Sequence, residues 1–290
     1  MSWRTVIVSQ RCKLDYRMGY MVLRTDEIKQ IFLDEIAILV VENTAVSLTG
    51  SLLAALTEKK IKVIFCDEKH NPHSELMPYY GSYDTSLRVK KQAAWKAETK
   101  ALVWQRIQQE KIWKQSVHLK DLGCYREQAL LVSYIPDVMP GDVTNREGFA
   151  AKVYFNALFG MDFTRGKECP VNAALNYGYS ILLSAMNREI IAEGCITQLG
   201  IFHENQFNQF NLSSDLMEPF RPLVDRKVVE MMPETFDNSC KHTLWALMND
   251  EVVIADTHQT VLNAMRIYTR SVLRALDEDA PDEIRFYKMS

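Results

Sequence analysis

The chain has 290 residues, 47% of them apolar, at a formal net charge of −3. That is enough for two packed domains and not basic enough for a uniform nucleic-acid coat. The six cysteines form no C-x-x-C, which argues against a structural zinc site and suits a cytoplasm that keeps thiols reduced; no apolar run reaches a membrane span.

The first 80 residues are β-rich. Thr5–Val8, Cys12–Tyr16 and Tyr20–Leu23 alternate with a period of two and are separated by polar turns. Residues 35–42 (Glu-Ile-Ala-Ile-Leu-Val-Val-Glu) predict a central strand buried on both faces. Leu48–Leu56 has helical spacing, and Lys62–Cys66 is a second buried strand. Asp67–Pro72 turns the chain, with His70 and His73 read as solvated loop residues. Residues 78–85 cluster Pro, Gly and turn formers and read as a linker, with Thr85 or Ser86 capping the next helix.

Beyond the linker the pattern changes to helix. Ala94, Ala97, Ala101 and Trp104 mark a stripe on one long basic helix. Breaks fall near Gly123, 136–142, 160–170, 194–200, 205–214 and 232–239. The predicted fold class is α+β: an N-terminal β-sandwich-like domain (1–80), a linker (81–86) and a larger all-helical domain (87–290).

Charge is unevenly spread. Residues 86–120 carry nine Lys/Arg against Glu98 and Glu110, whereas 121–290 sum to −9. A basic stripe is what a phosphate backbone needs, and a solvated helix face reads the same way. Trp95, Trp104 and Trp113 within it suit core packing.

Three later segments place acids and a histidine on separate elements. Glu147 opens a helix after Pro140-Gly141-Asp142, where Thr144 or Asn145 would cap, and so reads by itself as a first-turn acid. His203 ends the apolar approach Gly200-Ile201-Phe202 and precedes a polar, aromatic-rich loop. Asp215 and Glu218 are three apart, on one side of a helical turn, and resemble a capping box. A Glu, a His and a second carboxylate meeting in space would make a mixed O/N site for Mg²⁺ or Mn²⁺.

The ordered set resembles the CRISPR-associated adaptation integrases, the Cas-one family of DNA endonuclease-integrases. Its parts are the Asn145–Phe155 helix, Asn176-Tyr177-Gly178-Tyr179, the Gln198–His203 turn and the Asp215–Pro222 helix. The resemblance reaches back to Arg4–Val8, Lys13-Leu14 and Val63–Lys69 with Pro72, so it covers nearly the whole chain. Asn205–Leu212 and Cys195–Gln198 are most similar to the type II-A branch.

The resemblance implies Glu147, His203 and Glu218 as metal ligands, with Asp215 catalytic beside them, orienting a ligand or the water. It implies transesterification: a 3′-OH of a captured DNA fragment attacks a phosphodiester of the CRISPR repeat. His203 would bind as neutral imidazole, so activity would fall in acid. Double-stranded DNA is the substrate, with Arg88, Lys90, Lys91, Lys96 and Lys100 as candidate DNA contacts. The implied assembly is a homodimer through the β domain. Two such dimers flank a dimer of a small ferredoxin-like adaptation subunit in a heterohexamer. The type II-A branch adds a ring-forming adaptation protein and the RNA-guided effector nuclease. The setting is a prokaryotic cytoplasm, with no membrane. The same ligands would serve a hydrolase that cuts DNA without joining it, and their residue types would also suit a non-enzymatic DNA-binding scaffold.

Overall fold

A computed structural model of the protein describes residues 4–68, 70–78 and 82–288. Lys69 of the N-terminal motif and Tyr79–Gly81 of the expected linker lie outside the described residues.

Among the described residues ten strands and ten α-helices follow one another. The N-terminal part holds β1 (Arg4–Val8), β2 (Lys13–Arg17), β3 (Tyr20–Arg24), β4 (Ile28–Phe32), β5 (Ile36–Val41), β6 (Ser47–Leu48), α1 (Gly50–Glu58), β7 (Lys62–Cys66) and β8 (Pro72–Leu76). One sheet has the order β1-β5-β7-β8, parallel except for β8; the other is β4-β3-β2-β6, an antiparallel meander closed by parallel β6. Strands β4 and β8 were not expected. Both are edge strands: β4 (Ile-Lys-Gln-Ile-Phe) leaves four of its five residues exposed, and β8 (Pro-His-Ser-Glu-Leu) is mostly polar, so neither carries a buried alternation.

Strand β5 is buried at every residue, and its two faces enter different cores. Ile36, Leu39 and Val41 pack with Leu14, Met21 and Leu52 between the two sheets. Ala37, Ile38 and Val40 join a larger cluster with Leu182, Met186 and Met265 of the helical part. A strand covered on both sides reads as one apolar run. The β domain therefore sits against the helices through a shared core. At that seam the Ser184 hydroxyl and the Asn187 amide donate to Glu75, at 3.2 and 3.4 Å.

The second part comprises α2 (Thr85–Ala93), α3 (Ala97–Asp121), α4 (Tyr125–Tyr134), α5 (Arg146–Phe159), α6 (Pro170–Ala192), α7 (Asn211–Leu216), α8 (Arg221–Met231), α9 (Asn238–Ala246), β9 (Glu251–Ile254), β10 (Thr257–Thr260) and α10 (Val261–Glu278). The expected single basic helix is two, α2 and α3, parted at Ala94–Lys96. Lys96 is extended there, and the Trp95 indole donates to Asp277 on α10 at 2.9 Å, a tertiary bond that wins over continued helix. The expected Thr85 cap is also absent: Thr85 Oγ1 donates backward to the Ser82 carbonyl.

The helical part is interrupted once, by the β9–β10 hairpin, where an all-helical domain was expected. Val252 and Ile254 are buried in strand alternation, and Ala255 and Asp256 turn with φ of +50° and +56°. That turn ordinarily carries Asn-Gly or Asp-Gly, and here neither signals it. Close packing of α6 on α8 depends on Gly178, where a Cβ would meet Val224 Cγ1 at 2.4 Å. Among the described residues no helix is long and apolar enough to cross a membrane, and all six cysteines are free.

Candidate functional site

The loop between α6 and α7 carries His203 and is wrapped around one carboxylate. Asp215, fully buried on α7, accepts the backbone N–H of Ile201 (2.6 Å), Phe202 (3.0 Å) and His203 (3.2 Å). The same carboxylate lies 2.5 Å from His203 Nδ1. Gly200 makes the wrap possible, since a Cβ there would meet the His203 carbonyl at 2.3 Å and Asp215 Oδ2 at 2.8 Å. With Nδ1 engaged, Nε2 is the ring nitrogen left for the cavity. The Asp215 hydrogen bond raises the His203 pKa above its ordinary value against the opposing effect of burial. The imidazole stands edge-on to Trp104 (5.8 Å) and Phe202 (5.5 Å), which stack on each other at 4.5 Å.

Glu147 lies in the first turn of α5. The cap expected from Thr144 or Asn145 comes instead from Asp142, whose carboxylate accepts the N–H of Arg146 (2.9 Å) and Glu147 (3.0 Å). Asn145 is left-handed, φ +50°, and makes no side-chain cap bond. The Glu147 carboxylate thus faces inward. Glu218 opens the short 3₁₀ turn between α7 and α8 and is buried. Its oxygens take Lys111 at 2.5 Å and Arg221 at 2.7 Å. Burial pushes Glu218 up, but Arg221 and Lys111 outweigh it and hold the carboxyl below its usual range.

Glu147, His203 and Glu218 line one cavity of about 310 Å³ between α3, α5 and the 201–221 segment. Asp215 does not line it. Asp215 and Glu218, expected on one side of a turn, diverge because α7 ends at Leu216 and the 3₁₀ turn re-aims Glu218. Among the described residues no three His, Cys, Asp or Glu close on a common point. The reason is visible: Lys111 Nζ stands between the two glutamates, 2.5 Å from each. Two carboxylates already gathered around a cation, beside an imidazole fixed by a carboxylate, are a donor set that fits Mg²⁺ or Mn²⁺.

Other cavity residues carry positive charge and aromatic surface. Arg221 and Arg165 lie over the Tyr179 ring at 4.5 and 5.3 Å. The Tyr179 hydroxyl donates to the buried Asp225, whose carboxyl burial pushes up to about 6. Such a wall can take phosphate oxygens. Sequence reasoning assigned no role to Arg165, Arg221, Tyr179 or Asp225, and counted Lys111 as part of a basic stripe. A signal for Lys111 existed. It lies seven residues from Trp104 and four from Ile107 and Gln115, on the buried face of α3.

The five candidate DNA contacts divide. Lys90 and Lys91 are exposed on α2. Arg88 pairs with Asp84 and Asp277, Lys96 with Asp279, and Lys100 with Glu204 at 3.5 Å. Of the tryptophans, Trp104 is buried, Trp95 half-buried and Trp113 exposed.

Comparison with known proteins follows this geometry. The family model "CRISPR associated protein Cas1" matches residues 5–238. A CRISPR-associated endonuclease Cas1 of Neisseria meningitidis is 35% identical over 233 residues, covering 80% of this chain and 76% of that protein. In fold, the chain is similar to a casposase bound to integration product, with TM-score 0.76 and 16% identity over 96% of this chain and 91% of that one. A chain of a Cas6-RT-Cas1–Cas2 complex gives TM-score 0.72 and 16% identity, covering 97% of this chain and 36% of that larger one. The chain belongs to the CRISPR-associated Cas1 family.

Proposed function

We propose that this cavity joins the 3′-OH ends of captured DNA fragments to a CRISPR repeat by transesterification. The observation that carries the reading is the convergence of Glu147, His203 and Glu218, from three separate elements, on one cavity of a Cas1-family fold. The fold likeness to a casposase bound to integration product supports joining chemistry.

Glu147, Glu218 and His203 Nε2 would hold Mg²⁺ or Mn²⁺, and such an ion supplies charge stabilisation at the attacked phosphate. The chain's own groups do the rest. Asp215 keeps the imidazole in one tautomer and orientation. Arg165 and Arg221 offer guanidinium N–H groups to non-bridging phosphate oxygens. Trp104 and Phe202 pack against one side of the imidazole and limit its rotation. No residue need act as covalent nucleophile, because the attacking group belongs to the DNA.

Substrate and partners follow the same reading. Double-stranded DNA would meet Lys90 and Lys91 directly, while Arg88, Lys96 and Lys100 would exchange acidic partners for phosphates. The exposed Tyr16, Met18, Tyr20, Ile28 and Phe32 on or beside β2–β4 give apolar surface for a homodimer. The likeness to a Cas1–Cas2 complex supports a small ferredoxin-like adaptation subunit in a heterohexamer. For a type II-A protein, the ring-forming adaptation protein and the RNA-guided effector nuclease complete the set.

The test uses a labelled duplex with free or blocked 3′ ends and a supercoiled repeat plasmid. Metal-dependent joining by the free end alone is expected. Cutting without joining would replace this reading with a hydrolase, a reading favoured by the endonuclease description of the Neisseria relative.

A further inference from the structure

The cavity contains its own cation. Lys111 is 7% exposed, and its ammonium contacts Glu147 and Glu218 together. A dication bridging those carboxylates would claim the same lone pairs, so both cannot sit there at once.

The structure also offers the ammonium another berth. Gln108 Oε1 and Nε2, Gln115 Oε1 and Asp225 Oδ2 are buried without a hydrogen-bond partner, and all three residues line this cavity. Gln108 lies three residues before Lys111 and Gln115 four after it, so the side chains share one face of α3. Buried acceptors left unmade are costly, and a fold that keeps three of them beside a lysine keeps them for a donor.

We propose that Lys111 is a displaceable internal counter-cation: it holds Glu147 and Glu218 together without a divalent ion and moves to Gln108, Gln115 and Asp225 when one enters. The proposal rests on the metal reading of the same site. Two carboxylates of like charge, Glu218 buried and Glu147 half-buried, repel, and Lys111 offsets that repulsion in the metal-free protein. The same charge weakens metal binding, because the ion must displace it.

Mn²⁺ binding isotherms and melting curves test this on wild type, Lys111→Met and Glu218→Gln. Methionine keeps the unbranched stem of the side chain to Cε and removes the charge. The expected result is a Kd for Mn²⁺ at least about tenfold lower in Lys111→Met, since a unit charge at contact distance is removed. Its melting temperature should be lower without metal and rise further with it than in wild type. Glu218→Gln should lose binding. Equal or weaker binding by Lys111→Met, where wild type binds and Glu218→Gln does not, overturns the counter-cation and leaves the metal site intact. Wild-type binding no better than Glu218→Gln overturns both. If Lys111→Met does not fold, ammonium NMR of ¹⁵N-lysine wild type decides, with the signal assigned by its loss in Lys111→Arg. The Lys111 signal must shift as Mg²⁺ saturates, and an unshifted signal at saturation overturns the proposal.

Discussion

Lys111 and Lys96 come from one basic stretch and end in opposite surroundings. Lys96, at the exposed start of α3, pairs with the partly exposed Asp279; Lys111, four turns on, is buried between Glu147 and Glu218. Burial pulls the Lys111 pKa down, but its two glutamates outweigh that and leave it raised. The inner end of α3 makes a site whose charges answer one another in low dielectric, where removing one partner strands the rest. The outer end makes screened pairs that water can replace.

The comparison is broken most easily at Asp215. Asp215→Ala strands three backbone N–H groups and one imidazole, and should lower stability by roughly 3–5 kcal/mol while disordering the His203 loop. Urea unfolding measures it. A loss below about 1 kcal/mol would place Asp215 with the outer pairs.

His118 tests the inner face of α3 by pH. It lies against the Tyr154 hydroxyl at 2.7 Å, and burial pushes its pKa down to about 4, with Arg226 adding to the effect. A depressed histidine stays neutral when folded, so the unfolded chain takes up the proton first as pH falls. Its contribution is complete above about 6.5 and is lost between 6.5 and 4, about 3 kcal/mol in all. Unfolding of wild type and His118→Gln at pH 7.5, 6 and 5 should show the variant with a shallower decline, by about 2 kcal/mol at pH 5, where the window is only partly crossed.

The smallest effects belong outside. Lys96→Ala and Lys90→Ala/Lys91→Ala should each change stability by less than about 0.5 kcal/mol. Removing Lys90 and Lys91 should reduce the salt slope of DNA binding by about 0.9 for each phosphate that is no longer neutralised. An unchanged slope removes α2 from the DNA face.

The same contrast explains what the sequence made legible. Strands β1, β2 and β3 carry a period of two, and β5 and β7 a continuous apolar run, so all five could be read directly. Glu147, His203 and Glu218 were found because their motifs occur in order, not because spacing showed that they meet. Lys111 was misassigned because a charge count does not distinguish a solvated lysine from one among carboxylates. The break at Trp95 arises from a tertiary bond, and the Asp142 cap and the β9–β10 turn from positive φ at Asp142, Ala255 and Asp256, which these residue types do not signal. Arg165 and Tyr179 sit in segments whose partners lie far along the chain.

The most direct measurement of the central claim is a double-mutant cycle on strand transfer. Joining rates of wild type, His203→Ala, Glu218→Gln and the double variant are compared with saturating Mn²⁺, each protein verified as folded. One shared site predicts that either change reduces joining to near background and that the double variant is no worse than the single ones. Partial losses that add in free energy would contradict it, and would mean that His203 and Glu218 act apart.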